Sequence, residues 1–376
     1  MTTAAPTRSL PRGVRESSPL HWAARIAAVA ALVALVIYFA HSAKPSTLGN
    51  ITEACTLAIA AVALNLLLGF NGQISIGHST FAGLAAFTAG YTVNSWHWNP
   101  YMSLVVGLVL CFVLGLALGL PALRLKGPYL ALVTLAVAFV WPTVAAKFLD
   151  KKVKASTLKG TRLMPPTWTG LTASRPDRAV FLYWLAIVLL VISYVIVRNL
   201  RKSRIGRSLV AVRDNETAAA VMGVNLKFTK TVTFGISAAI AGASGWLTAA
   251  RLTTMDENSF TILNSIKYLL ALFLGGAATL TGPIVGAFAY YFVDDYLKTH
   301  APKWHWLPGP LSQGPVASFL LGAVVIAFVF VAPFGLVGFV KTQARRLCVV
   351  SPRPLRQVQT TTPDDQSDRT RGSTET

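Results

Sequence analysis

The sequence has few charged side chains and very few acidic ones. Only 13% of its 376 residues are charged, and 14 aspartates and glutamates stand against 34 lysines and arginines. Soluble domains carry about 25% charged residues, so this deficit argues against a soluble protein. Between short charged blocks the chain is apolar for about 17–23 residues at a time, the length that crosses a hydrocarbon core of roughly 30 Å. The sequence therefore predicts an all-α integral membrane protein.

Residues that build metal, disulfide or nucleotide sites are also scarce. The three cysteines, Cys55, Cys111 and Cys348, form no CxxC pair, so we expect neither a disulfide framework nor a cysteine-based metal site. The six histidines are scattered along the chain, which argues against a membrane enzyme. A GxxxxGK[ST] phosphate loop is absent from the sequence. We therefore expect no ATP hydrolysis, cofactor or metal in this chain.

The excess of basic residues gives a formal net charge of +20. In a soluble chain this charge would suggest a nucleic-acid partner. Here the basic residues flank the apolar stretches, where membrane topology and anionic headgroups account for them. The expected partner of these charges is the lipid bilayer, and no nucleic-acid partner is predicted.

Ten apolar stretches are predicted to be transmembrane helices. An even number puts both termini on one side, and the basic residues beside them select the cytoplasm. The predicted organisation is a disordered cytoplasmic tail over 1–23, a transmembrane domain over 24–343 and a disordered cytoplasmic tail over 344–376. The predicted spans are 24–42, 51–70, 74–95, 101–123, 128–149, 180–198, 229–251, 262–279, 281–298 and 316–340.

Two features leave alternatives within this topology. The first stretch is also compatible with a signal peptide, since small residues surround Ala43; an uncleaved span is preferred because many similar spans follow. The loop 150–179 is predicted to be extracytoplasmic, yet it carries seven lysines and arginines. Either a span is miscounted, or this loop is basic for a reason of its own, such as an acidic partner.

The loop 199–228, between the sixth and seventh predicted spans, has signals for short helices. Asp214 or Asn215 is suited to cap a helix, Gly223 to end it and Asn225 to begin the next turn. These signals predict two short helices rather than a flexible linker. A cytoplasmic helix pair without an active site fits a docking element for another subunit. A helix lying on lipid headgroups is the alternative.

A second segment interrupts the apolar pattern between the second and third predicted spans. Irregular backbone survives in lipid only where protein or a water-filled cavity surrounds it, and polar side chains at that depth face the bundle interior. One interpretation is a broken helix that lines the translocation path, and the other is a tight turn between two spans. The candidate path residues are Asn65, Gln73, Ser75, His78 and Ser79.

A third segment separates the eighth and ninth predicted spans. Proline has no N–H group and breaks a helix, and paired glycines precede it. This pattern favours a hinge or gate near the path, with a short turn between helices as an equal alternative. The candidate residues are Gly275, Gly276, Gly282 and Pro283.

Three motifs carry a resemblance to a known family. The pattern Glu-x-Ala-Ala-x-x-x-Gly begins at Glu216 and resembles the coupling loop of ABC importer permeases. The longer string from Arg213 to Asn225 resembles the permeases for branched-chain amino acids in particular, as do the segments 65–78 and 275–287. The three matches occur in the order that this family has.

The resemblance implies a permease bundle of the type II importer kind that moves a solute without hydrolysing ATP itself. Two cytoplasmic ATPase subunits would bind ATP and Mg²⁺ and dock on the loop 199–228. A second, related permease chain and an extracytoplasmic substrate-binding protein would complete the transporter in the plasma membrane of a bacterium. The residues expected to meet an ATPase are Arg213, Asp214, Asn215, Glu216, Ala218, Ala219, Gly223 and Asn225.

The expected substrates are leucine, isoleucine and valine. Permeases for urea, short amides or nucleosides share the coupling loop and stay open as alternatives. An ion-coupled secondary transporter is the alternative from a different class. It would need ionisable residues in the middle of its spans, and the predicted spans have no acidic residue there.

Overall fold

The computed structural model describes residues 19–120, 128–153, 174–252, 255–300, 315–332 and 335–347. Within these ranges the chain forms thirteen α-helices and no β-strand, as the all-α prediction requires. The helices are α1 (Pro19–Ser42), α2 (Pro45–Leu64), α3 (His78–Ser95), α4 (Pro100–Gly119), α5 (Pro128–Val153), α6 (Arg175–Lys202), α7 (Arg204–Asp214), α8 (Glu216–Val221), α9 (Leu226–Arg251), α10 (Ile262–Gly275), α11 (Gly282–His300), α12 (Pro315–Val331) and α13 (Gly335–Leu347).

Ten of these helices coincide with the ten predicted spans. Within the described residues, five helical segments are long and apolar enough to cross a membrane, and shorter apolar helices cover 33–42 and 319–328. The chain is therefore a multi-pass α-helical membrane protein. The five long segments are Pro45–Phe70, Pro100–Gly119, Tyr129–Lys147, Pro176–Lys202 and Leu226–Arg251.

Most helix boundaries differ from the predicted ones by a few residues, and two of the predicted spans contain a break. The eighth predicted span, 262–279, ends already at Gly275, because Gly276 adopts a φ of +106° that a helix cannot continue. The tenth, 316–340, is two helices, since α12 ends at Val331 and α13 begins at Gly335, whose φ is +72°. Both spans were predicted to continue through these glycines because apolar residues lie on each side of them.

The described helices divide between two units. One unit comprises Val36–Lys341, and the other comprises Met1–Leu35 and Thr342–Thr376. Of the second unit, the structure describes only the first part of α1 and the end of α13. The predicted tails at 1–23 and 344–376 and the basic loop 150–179 lie largely outside the described residues.

Within Val36–Lys341, α2 and α9 form the centre of the bundle. Most of the residues of both helices are buried, and they contact each other and several neighbours: α2 packs on α6, α10 and α11, and α9 packs on α3 and α4. By contrast, fewer than half of the residues in the apolar parts of α4, α5 and α6 are buried, and many of their large apolar side chains are exposed. Lipid can cover these exposed apolar faces of the bundle.

Small residues allow α9 to approach its neighbours closely, as their spacing in the sequence suggests. A methyl group built on Gly245 would lie 1.8 Å from the carbonyl oxygen of Ala82 in α3. On Gly115 of α4 it would lie 2.6 Å from Cβ of Ala238. The backbones of α3, α4 and α9 are therefore in contact, and the centre of the bundle is rigid.

We expect Gly245→Ala to destabilise the folded protein by more than the roughly 1–3 kcal/mol typical of an overpacked core, because its methyl group meets backbone rather than a movable side chain. The measurement is the midpoint of thermal unfolding of the purified protein in detergent. Gly322→Ala in α12 is the matched control, since a methyl group there meets nothing within 4 Å. Equal midpoints for the two variants would contradict the assigned packing.

Candidate functional site

The segment between α6 and α9 consists of two short capped helices. The signals in the sequence predicted α8, whereas α7 was not predicted, and the turn expected to begin at Asn225 is the first turn of the long helix α9. Ser203 caps α7 by accepting a hydrogen bond from Gly206 N at 3.3 Å. The side chain of Asn215 caps α8 by accepting from Ala218 N at 2.9 Å, and Asn225 caps α9 by accepting from Phe228 N at 3.0 Å. The φ of Gly223 is +82°, at the position where a helix stop was expected.

The tip of this helix pair presents apolar side chains. Val221 and Met222, at the end of α8, are 83% and 86% exposed, whereas Ala219 on the opposite face of the same helix is buried. Large apolar side chains with such exposure, on a loop otherwise rich in charge, are typical of a surface that another protein covers.

An ion pair fixes α8 to the central helix α9. Lys230 Nζ binds the carboxylate of Glu216, and the lysine side chain is only 8% exposed. A buried ammonium group is costly without a partner. This pair therefore makes α8 move together with α9 rather than independently of it.

A second contact joins α7 to the interrupted segment that follows α2. After Leu64, residues Asn65–Phe70 form a π-helical turn. The guanidinium of Arg213 donates from Nη1 to the carbonyl oxygen of Gly69 at 3.1 Å and from Nη2 to Asp214 Oδ1 at 2.8 Å. The π-helical turn is thus attached to the last turn of α7. A π-helical turn inside a longer helix is frequently found at functional sites.

Two hydrogen bonds of Asn65 join the same π-helical turn to the segment between α10 and α11. Asn65 donates from Nδ2 to the carbonyl oxygen of Thr279 at 2.8 Å and accepts at Oδ1 from the N–H of Ala278 at 2.9 Å. Gly69 is required beside it, because a methyl group there would lie 2.1 Å from Asn65 Oδ1. The side chain of Asn65 thus satisfies two backbone groups, the carbonyl of Thr279 and the N–H of Ala278, in an irregular segment.

The four candidate hinge residues lie together in this segment. The turn is tight, since a methyl group on Gly275 would lie 1.8 Å from the carbonyl oxygen of Gly282. Thr279 closes it by donating from Oγ1 to the carbonyl of Gly276 at 2.8 Å and accepting from Gly282 N at 3.0 Å. Pro283 occupies the first turn of α11, where a missing N–H costs nothing.

The predicted path residues are buried and hydrogen-bonded within the bundle. His78, fully buried, lies 2.9 Å from Ser75 Oγ through Nδ1 and 2.8 Å from Ser237 Oγ through Nε2. The backbone N–H and the hydroxyl of Ser79 both bind Ser265, at 2.9 and 2.7 Å. Their role in the path stays a prediction.

Gln73 and Asn71 line a small polar cavity of about 190 Å³ at the end of the bundle that carries α7 and α8. Asn71 donates from Nδ2 to Gln73 Oε1 at 2.7 Å. Arg213, Glu216 and Lys230 line the same cavity. The broken segment and the two short helices therefore share one polar space.

A larger cavity lies at the opposite end of the bundle, and the sequence did not indicate it. At 1.5 Å per residue, Arg251 at the end of α9 lies roughly 30 Å from Lys230 at its beginning. Arg251 lines a cleft of about 480 Å³ together with Glu53, Lys267 and Asp294. None of these charges belongs to the motifs identified in the sequence. Their convergence depends on contacts between α2, α9, α10 and α11.

Comparison with known proteins agrees with the motifs. The family model described as "Branched-chain amino acid transport system / permease component" matches residues 46–329. The high-affinity branched-chain amino acid transport system permease protein LivM of Escherichia coli is 28% identical over 278 residues, which cover 68% of this chain and 65% of that protein. The LivM protein of Salmonella typhimurium is 31% identical over 61% of this chain and 58% of its own length.

More distant relatives import other solutes. The autoinducer 2 import system permease protein LsrC of Salmonella paratyphi B is 24% identical over 66% of this chain. No solved structure matches the chain. The aligned region thus spans a little under two thirds of the LivM proteins, while the family model covers most of this chain, including all three motifs. The chain therefore belongs to the family of branched-chain amino acid transport system permease components.

Proposed function

We propose that this chain is the membrane-spanning subunit of an ATP-driven importer for branched-chain amino acids in a bacterial plasma membrane. Its two cytoplasmic ATPase subunits bind ATP and Mg²⁺, a second related permease chain completes the membrane part, and an extracytoplasmic binding protein delivers the substrate. The observation that carries the proposal is the attachment of α7 to the π-helical turn through Arg213, and of that turn to the segment between α10 and α11 through Asn65, in a chain of this family.

The ATPase subunits dock on α7 and α8. The exposed Val221 and Met222 enter an apolar groove of the ATPase, and the charged residues around them fix the orientation. The predicted docking residues differ in exposure, since Ala219 is buried and supports the helix pair from within. This division suits a docking helix, because one face must hold the bundle while the other meets the partner.

ATP-driven movement of the docked helices reaches the bundle by two routes. Glu216 moves α9 through Lys230, and Arg213 moves the π-helical turn through Gly69. The two hydrogen bonds of Asn65 carry the movement of the π-helical turn to the turn between α10 and α11. Rigid central helices that rock around such turns can alternate the access of a path between the two sides.

The proposal is tested by reconstituting the complete transporter, with both permeases, the ATPases and the binding protein, in proteoliposomes. Uptake of radiolabelled leucine is expected to require ATP and the binding protein and to persist when ionophores collapse ion gradients. Uptake that follows an ion gradient without ATP would identify a secondary transporter instead. Uptake of urea or a nucleoside in place of leucine would contradict the substrate.

A further inference from the structure

The cleft at the end opposite α7 and α8 has an unusual balance of charge for a membrane protein. It is lined by residues of α2, α9, α10, α11 and the short 3-10 turn Glu257–Phe260. Its volume of about 480 Å³ falls within the usual range of roughly 300–1,000 Å³ for small-molecule sites. Three carboxylates face three cations in its lining: Glu53, Asp294 and Asp295, and Arg251, Lys267 and Lys298.

One pair in this cleft joins two central helices. Arg251 Nη1 lies 3.1 Å from Glu53 Oε2, and the Tyr291 hydroxyl donates to the same carboxylate oxygen at 3.3 Å. The Nε atom of Arg251 is buried and has no hydrogen-bond partner among the described residues. The guanidinium has five N–H donors, and because its side chain is 26% exposed, those that do not meet Glu53 remain for a further acceptor in the cleft.

This pair contributes little to stability. Its side chains are 26% and 43% exposed to the cleft, and ion pairs with such access to water contribute about 0–1 kcal/mol. Function explains the presence of Glu53 and Arg251 here better than stability does.

Apolar and aromatic side chains also line the cleft. Leu57, Phe260, Tyr268 and Tyr290 are among them and are buried to at least nine tenths of their surface. A site that combines paired opposite charges with aromatic and aliphatic surface fits a particular class of solute. That class carries an ammonium and a carboxylate close together and an apolar body beyond them.

We propose that this cleft is a substrate site of the permease that recognises the zwitterionic group of an α-amino acid. Arg251 binds the α-carboxylate. Glu53 binds the α-ammonium, with Asp294 and Asp295 nearby, so that each member of the ion pair exchanges its partner for one charge of the zwitterion. The apolar side chains of the lining receive the side chain of the amino acid. This inference rests on the proposed function and adds that the permease itself, as well as its binding protein, selects the substrate.

Solutes with only one of the two charges bind poorly in such a site. A solute with a carboxylate but no ammonium leaves the carboxylate of Glu53 unpaired. A solute with an ammonium but no carboxylate leaves the guanidinium of Arg251 unpaired. Unpaired polar groups of this kind give a site its discrimination. The balanced charge of the lining also disfavours solutes with a net charge, such as phosphates.

The test measures equilibrium binding of radiolabelled L-leucine to the complete transporter in lipid nanodiscs without its binding protein. Saturable binding is expected, and 4-methylpentanoate, which lacks the ammonium, and L-leucinamide, which lacks the carboxylate, should each compete at least about tenfold more weakly than leucine. Absence of leucine binding, or equal competition by either analogue, would overturn the proposal. This measurement on the wild type decides the question even where a variant fails to assemble.

Two variants should reverse the selectivity rather than merely weaken binding. Glu53→Gln leaves Arg251 unpaired, so 4-methylpentanoate should gain about tenfold relative to leucine, whereas Arg251→Gln should favour L-leucinamide by a similar factor. A structural role alone would produce neither shift. Lys44→Gln, which removes an exposed cation before α2 and outside the cleft lining, is the matched control and should leave the order of ligands unchanged.

The outcomes separate the two proposals. A wild-type transporter without ATP-driven leucine uptake contradicts the proposed function. A wild type that imports leucine, with variants of unchanged selectivity, contradicts the cleft site alone. Docking of the substrate-free binding protein is measured in parallel. If Glu53→Gln and Arg251→Gln abolish that docking but leave the selectivity of leucine binding intact, the cleft is a docking surface and the substrate site is wrong.

Discussion

A Glu216→Lys permease is expected to insert into the membrane and to lose ATP-driven uptake to the background level. The substitution places a second ammonium group against Lys230, which is only 8% exposed. Breaking a buried pair costs about 3–5 kcal/mol, and the partial exposure of Glu216 reduces this to roughly 2–3 kcal/mol. That cost falls on the contact between α8 and α9, so α8 detaches while the membrane bundle keeps its own packing.

The measurements for Glu216→Lys are leucine uptake in proteoliposomes and the amount of ATPase that copurifies with the permease. The double variant Glu216→Lys with Lys230→Glu restores opposite charges and should recover a substantial part of both. Full uptake in the single variant would show that α8 does not need its ion pair. A double variant as inactive as the single one would show that the two charges have separate roles.

An Asn65→Leu permease is expected to keep its ATPase subunits and to lose most of its transport. Leucine has nearly the same size as asparagine, but it cannot satisfy the carbonyl of Thr279 or the N–H of Ala278. Each unsatisfied buried group costs about 1–3 kcal/mol. With both hydrogen bonds lost, the turn between α10 and α11 separates from the π-helical turn. We expect uptake to fall at least about tenfold.

Uncoupling is the diagnostic result for Asn65→Leu. The variant should hydrolyse ATP in proteoliposomes at a rate that no longer responds to the loaded binding protein. Asn258→Leu, at an exposed position in the 3-10 turn Glu257–Phe260 and outside the cleft lining, is the matched control and should transport normally. A variant that has lost ATPase binding, or one that transports as well as the control, would remove Asn65 from the proposed route.

These two variants probe a connection that the motifs alone did not contain. The sequence identified the α7–α8 loop, the broken segment and the paired-glycine turn as three separate candidates. Arg213 and Asn65 join them into one cluster at one end of the bundle, although Asn65 and Thr279 are 214 positions apart in the chain. The proposed transmission from an ATPase to the bundle therefore has a hydrogen-bonded contact at each step within this chain.

Local physical chemistry explains which predictions succeeded. Asn215, Gly223 and Asn225 act on backbone groups within three or four residues of themselves, so their roles can be read from the sequence. The ten helices were equally predictable, because each must satisfy its own backbone in lipid. The predicted spans continued through Gly276, although it was a candidate hinge residue, and through Gly335, because apolar residues lie on both sides of each glycine and contacts between helices decide where a helix stops.

The sequence by itself determined an all-α membrane bundle, the caps at which α8 and α9 begin, and the family to which the chain belongs. These properties follow from composition, local hydrogen bonding and ordered motifs. Only the tertiary structure decided that Arg213 reaches Gly69, that Asn65 holds the turn before α11 and that Glu53 meets Arg251 in a cleft. A single charge near a helix end gives the same sequence signal whether it faces headgroups or another helix, and the packing of distant helices makes that choice.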